Sequence, residues 1–192
     1  MFKDLILEMK SQEIGLMSTN QYLNVGETIS LCKPCNLLVF GLGEDANVWA
    51  KINKDGRTAF IEDDIEWIKK FNQSNLEIYH VEYNTKAEDH ENIGFAEDKL
   101  QLNLHENILN TKWDVIFVDG PLGHNPPRPY KGPGRMKSIY NAYNLLKDDG
   151  VCIVDDIGRL IEKKYADYYF GADCLYKVIE NKVGFYYKKA KK

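Results

Sequence analysis

The stretch Asn36-Leu37-Leu38-Val39-Phe40-Gly41-Leu42-Gly43-Glu44-Asp45-Ala46 restricts the fold more than any other part of the chain. An apolar run ends in Gly-x-Gly, an amphipathic segment follows, and a second apolar run, Phe60-Ile61, closes on Glu62. Glu62 falls roughly 20 residues after Gly41, the separation at which a βαβ unit presents an acid to the ribose of an adenosine-containing cofactor. Gly41 and Gly43 are then the positions where backbone passes close to a ligand. Glu62, followed by Asp63, supplies acceptors for the ribose hydroxyls.

Two cofactor classes fit such a unit. The spacing also matches the dinucleotide pattern G-x-G-x-x-G/A, with Ala46 in the third place. A pyrophosphate would lie on the helix N-terminus, yet Glu44 and Asp45 put two carboxylates there, and like charges weaken phosphate binding. S-adenosylmethionine has no phosphate and carries an ammonium and a sulfonium, so acids beside the loop favour it over NAD. The bland alternative is a turn that binds nothing; the correctly spaced Glu62 argues against it.

The chain has 192 residues, 44% of them hydrophobic and 28% charged, which suits one globular domain. Residues 1–35 read as an N-terminal helical cap segment and 36–192 as a Rossmann-like core. A net charge of −4 argues against a broad nucleic-acid surface. No apolar run approaches the ~18 residues of a membrane helix. Met1 to Glu8 has acids where a signal peptide would be apolar, so a cytoplasmic protein without membrane contact is expected. Cys32-x-x-Cys35 has the spacing of half a zinc or redox site but lacks a second Cys/His pair. Cys152 and Cys174 fall in or near apolar strands, and four reduced thiols are expected. No single element announces an oligomeric interface.

Along the chain, residues 1–10 form an amphipathic stripe of Phe2, Leu5, Ile6 and Met9. Residues 11–35 look mixed and loop-rich, a segment suited to capping a cofactor cleft. Strands are expected at 36–41, 58–62, 76–83, 113–119 and 151–156, and helices at 44–52, 65–71, 97–109, 136–147 and 158–167. The stretch Gly120 to Arg135 holds too many Pro and Gly residues for either, and a long loop at a strand's C-terminal end is where open α/β sheets bind ligands. Two closing runs, Cys174 to Ile179 and Val183 to Tyr187, flank a short turn and read as an antiparallel hairpin. Parallel βα units followed by a hairpin describe a Rossmann-like class I methyltransferase: three αβα layers around a seven-stranded, mostly parallel sheet. The lysine-rich end, Lys188 to Lys192, reads as solvated.

Several blocks resemble the plant glucuronoxylan 4-O-methyltransferase family. They are Pro34-Cys35-Asn36 through Gly43, Phe60-Ile61-Glu62-Asp63-Asp64-x-x-Trp67, and Tyr83-x-Thr85. Trp113-Asp114, Asp119-x-Pro121, Pro133-Gly134-Arg135-Met136 with Ile139, and Asp156 with Arg159 are similar to its later blocks. The resemblance implies methyl transfer from S-adenosylmethionine to a sugar hydroxyl, in that family on glucuronic acid. Departures are a fifth-strand pair Asp155-Asp156 where the family has His-Asp, a different lead into Pro133, and none of the family's N-terminal membrane anchor.

A sugar hydroxyl needs a general base or a metal to attack a methyl group. Asp119 ends the fourth strand; Asp155 and Asp156 end the fifth. Three carboxylates converging there would hold a hard divalent cation, Mg2+, Mn2+ or Co2+, an arrangement that resembles cation-dependent small-molecule O-methyltransferases. Without metal, Asp119 or Asp156 serves as base, with His124 as alternative. Arg135 and Arg128 are candidates to pair with the carboxylate of a uronic-acid acceptor. Tyr83 is placed to stack on adenine, whereas Trp49 and Trp67 read as packing. The acceptor is expected to be a saccharide or another small molecule; a cofactor-binding module without turnover is the non-enzymatic reading.

Overall fold

In a computed structural model, residues 1–71, 73–123 and 132–190 are described. Helix α1 (Phe2–Ser11) buries Ile6 and Met9. The expectation of a loop-rich 11–35 is wrong: α2 (Thr19–Cys32) is a 14-residue helix. Ser18 starts it with a capping box, its hydroxyl accepting from Gln21 N while its own N–H donates to the Gln21 side chain. This satisfies two otherwise orphaned donors. Tyr22, Val25 and Ile29 then face the core at helical spacing.

The sheet has seven strands: β1 (Asn36–Phe40), β2 (Arg57–Glu62), β3 (Glu77–His80), β4 (Trp113–Val118), β5 (Leu146–Val154), β6 (Leu175–Ile179) and β7 (Val183–Tyr187). Their order is β3-β2-β1-β4-β5-β7-β6. β7 runs antiparallel to β5 and β6, and the remaining pairs are parallel. The expected mostly parallel sheet with a terminal antiparallel pair is therefore present.

Strand period two divides the core between the sheet's faces. Leu37, Val39, Val115, Phe117, Ile153 and Phe185 pack with α1, α2 and α3 (Ala46–Ile52). Leu38, Phe40, Ile116, Val118, Cys152 and Val154 pack with α8 (Met136–Leu145) and α9 (Leu160–Ala166). Both strand faces are covered, which is why these runs read as continuous apolar segments. Between β2 and β3 lies α4 (Ile65–Lys70), capped by Asp64.

Two helix expectations are corrected. The helix expected at 97–109 is two single turns, α6 (Glu97–Leu100) and α7 (Glu106–Leu109), preceded by α5 (His90–Ile93). The extended Gln101 to Leu104 buries both Leu102 and Leu104, while Asn141 of α8 bonds Leu100 O and Leu102 N. Helix α8 stops at Leu145 because Leu146 already pairs with Trp113 as the first residue of β5. Nor is Lys188 solvated: it is buried, and its ammonium donates to Tyr143 O and Leu146 O.

Candidate active site

The parallel strands end level with one another. Phe40 lies opposite both Ile61 and Val118, and Val118 opposite Val154. Gly41, Glu62, Asp119 and Asp155 therefore leave the sheet along one edge, around the β1/β4 crevice where strand order reverses. Open α/β sheets bind ligands there.

Glu62 ties two loops together. One carboxylate oxygen accepts from Leu42 N at 2.8 Å, the other from Asp63 N at 2.9 Å and Asp64 N at 2.8 Å. Gly41 has φ +108°, and a Cβ there would stand 3.0 Å from Gly120 N. The missing side chain at 41 thus lets the loops after β1 and β4 cross closely. A Cβ at Gly43 would meet the Asp45 carboxylate. The indole N–H of Trp67 donates to Leu42 O, so Trp67, read from the sequence as packing, also pins the glycine loop. Half-buried Asp63 has its pKa pushed up to about 6, by burial first and then by the charge of Glu62.

The two acids expected beside the loop differ. Glu44 is exposed, whereas Asp45 is buried and accepts from the Tyr22 hydroxyl at 2.9 Å. Burial raises the Asp45 pKa; the Tyr22 bond opposes the rise. Tyr22 stacks on Trp49 at 5.5 Å between ring centroids. The missed helix α2 thereby reaches the first turn of α3. Its sequence signal was the pair Ser18 and Gln21 ahead of spaced apolar residues.

Arg135 corrects the sequence reading most. It is buried, and its Nε, Nη1 and Nη2 donate to Pro121 O at 3.1 Å, Asp155 O at 2.8 Å and Asp119 O at 2.8 Å. The same guanidinium lies 3.4 Å from the Asp119 carboxylate, 3.6 Å from Asp155 and 3.3 Å from Asp156. Burial works against its charge, but Asp119, Asp155 and Asp156 outweigh it and hold its pKa above the usual value. Among the described residues no cluster of three or more His, Cys, Asp or Glu side chains is arranged to hold a metal ion. The three aspartates expected to ligate a divalent cation surround an arginine instead. With all three nitrogens engaged on carbonyls, Arg135 is also not free to grip a substrate carboxylate, the role expected for it.

Burial raises the Asp119 pKa well above the usual carboxylate range, the neighbouring Asp155 charge adds to this, and Arg135 opposes it. Asp156, at φ +60°, is likewise raised by burial against the opposing charges of Arg135 and Arg159. The Tyr83 hydroxyl pairs with Ser138 Oγ at 2.8 Å, and the ring packs against the core beside α8. His124 and Arg128 lie outside the described residues.

Two further residues at this edge were missed as a pair. Arg159 Nη1 is 2.9 Å from Asp156 and 3.9 Å from Glu162. Glu162 is fully buried, and among the described residues neither of its oxygens has a hydrogen-bond partner. An isolated Glu on a short helix carries no sequence signal of such burial.

Comparison with known proteins accords with this geometry. The family model IRX15/IRX15L/GXM matches residues 22–98 and 88–183. Glucuronoxylan 4-O-methyltransferase 3 of Arabidopsis thaliana is 40% identical over 157 residues, covering 69% of this chain and 51% of that protein. Glucuronoxylan 4-O-methyltransferase 2 is 35% identical over 189 residues, covering 85% and 63%. Arabinogalactan O-methyltransferase 1 from the same plant is 32% identical, covering 70% and 54%. The chain thus spans about half to two thirds of the length of these relatives. In fold it is similar to a T. thermophilus 16S rRNA methyltransferase (TM-score 0.57, 17% identity, 91% of this chain and 44% of that one). It is also similar to a putative caffeoyl-CoA O-methyltransferase from Staphylococcus aureus (TM-score 0.56, 15% identity, 97% and 91%). With the family's blocks spread over the same edge of a methyltransferase sheet, the chain belongs to the IRX15/IRX15L/GXM family.

Proposed function

We propose that this chain is an O-methyltransferase that uses S-adenosylmethionine and acts on a saccharide hydroxyl, with a uronic-acid-bearing polysaccharide as acceptor. The observation that carries this is the placement of Glu62 and Asp119 at the level ends of β2 and β4, on either side of the Gly41 loop that follows β1. The names of the relatives support the acceptor class.

The residues fit the cofactor. A carboxylate offers about four lone-pair sites, and three backbone amides occupy Glu62, which leaves one for the ribose and fixes its direction. The Gly41–Gly43 loop, pinned by Trp67, forms the rim, with Asp63 and Tyr83 on the adenosine side. When bound, the cofactor supplies an electrophilic methyl group.

The chain's own task is then to orient the acceptor hydroxyl and remove its proton. Asp119 is the assigned base. Its side chain is 32% exposed against 12% for Asp156, and the neighbouring Asp155 charge increases its affinity for a proton, the direction that favours a general base. The Asp156 carboxylate is instead held between Arg135 and Arg159. Arg135 locks the loops after β4 and β5 together and balances the aspartates. A divalent cation does not fit this donor set, because the guanidinium lies among the same carboxylates, and no step here runs through one.

Calorimetry and methyl-transfer assays on variants separate the two halves of the reading. Glu62→Ala should lose cofactor affinity. Asp119→Asn should keep it while losing about 100-fold or more in turnover, the usual contribution of a general base. Full turnover in Asp119→Asn would remove Asp119 from the role.

A further inference from the structure

A uronic-acid acceptor brings a carboxylate, and Arg135 has already spent its guanidinium on backbone carbonyls. We infer that Arg159 is the receptor for the acceptor's carboxylate and that Glu162 is the residue that positions it; this rests on the saccharide reading above.

Arg159 is the N-cap residue of α9, directly after the β5 loop, so it starts from the same edge as Asp155 and Asp156. Among the described residues only its Nη1 approaches acids, 2.9 Å from Asp156 Oδ2 and 3.9 Å from Glu162 Oε1. No hydrogen bond to a described residue engages Nε or Nη2, and 26% of the side chain is exposed. The unengaged edge is the fork that binds a carboxylate bidentately. Arg135 and Arg159 therefore divide the work: one is spent on the fold, the other is held by one corner.

Glu162 explains how that corner is held. A fully buried carboxylate without a hydrogen bond costs stability, yet among the described residues neither oxygen accepts one, and Oε1 instead faces Arg159 Nη1 at 3.9 Å. A Cβ at Gly123 would run into both Glu162 Oε1 and Arg159 Nη1. The start of the loop after β4 thus lies directly on the pair, and a glycine is required there. Asp156 and Glu162 draw on the same nitrogen and so fix the direction of the fork. Leu122 and Leu160, chain neighbours of Gly123 and Arg159, are 71% and 73% exposed, offering apolar flanks to the C–H faces of a sugar ring. Acids outnumber arginines around this site. Capture of an anion therefore depends on the fork at contact distance rather than on long-range attraction.

The test compares methyl transfer by the full chain to a xylo-oligosaccharide bearing glucuronic acid and to its carboxyl-reduced, glucose-bearing counterpart. The wild type should prefer the acid through KM by roughly 10- to 100-fold, the scale of one charge-assisted pair. Arg159→Gln should raise KM for the acid to that of the reduced sugar, with kcat and cofactor affinity unchanged. Arg159→Lys, which keeps the charge but not the fork, should recover part of the preference. Glu162→Gln should raise KM for the acid alone. Equal loss on both sugars, or weakened cofactor binding, would make Arg159 structural and overturn the inference. A wild type that methylates both sugars equally overturns it while leaving saccharide methylation standing. A wild type that methylates neither sinks the saccharide reading and this inference with it.

Discussion

At the scale of single residues, this site is governed by where charge is buried and what lies beside it. Arg135 holds three carbonyls and faces three aspartates from a position with 5% exposure. Removing one partner of a buried charge network strands the others, so Arg135→Ala should destabilise the fold by about 3–5 kcal/mol, read from urea unfolding. Loss below 1 kcal/mol would mean that the aspartates are solvated. Glu162 makes the opposite prediction. Burial raises its pKa, so the folded state holds its proton more tightly than the unfolded chain. Its contribution is then fully present below the ordinary glutamate value and is lost as pH rises through the raised one. Glu162→Gln should therefore stabilise the protein at neutral pH, by about 1–3 kcal/mol for an unsatisfied buried group, and the gain should shrink on acidification. Thermal unfolding of both proteins across that window checks the sign.

At the scale of elements, the glycine loop is stiffened from within its own βαβ unit and from outside it. Glu62 of β2 holds Leu42 N, Trp67 of α4 holds Leu42 O, and Tyr22 of α2 holds Asp45. Trp67→Phe preserves an aromatic ring and deletes the donor; it should weaken cofactor binding several-fold with little change in unfolding midpoint, whereas an equal loss of stability would assign Trp67 to packing alone. Ser18→Ala removes the cap of α2 and should cost about 1 kcal/mol. The strands were legible in the sequence because both sheet faces are covered and the runs are apolar throughout. Helix α2 was not read because polar residues such as Asn20, Asn24 and Glu27 interrupt its stripe, though its capping box was in plain view. The single turns between 90 and 109 are too short for periodicity to mark, and the break after α6 is held by Asn141 of α8, over 30 residues away, which bonds Leu100 O and Leu102 N.

At the scale of the whole molecule, level strand ends bring Gly41, Glu62, Asp119, Asp155 and Asp156 to one edge, and that convergence followed from the βαβ pattern. What the pattern did not carry was the content of the space between the aspartates. Spacing places three carboxylates together, but only the folded backbone shows Arg135 entering among them, because its position depends on how the long loop returns to α8. Membrane crossing is a separate matter: among the described residues no helix is long and apolar enough to span a bilayer. The central claim is methyl transfer to a saccharide without a divalent cation, and the most direct measurement is incorporation of labelled methyl from S-adenosylmethionine into glucuronoxylan, with excess EDTA present and with Asp119→Asn as control. The account predicts label in the polysaccharide at a rate EDTA does not lower, and none above background in the variant. Label that appears only when a divalent cation is restored, or no label under either condition, would contradict it.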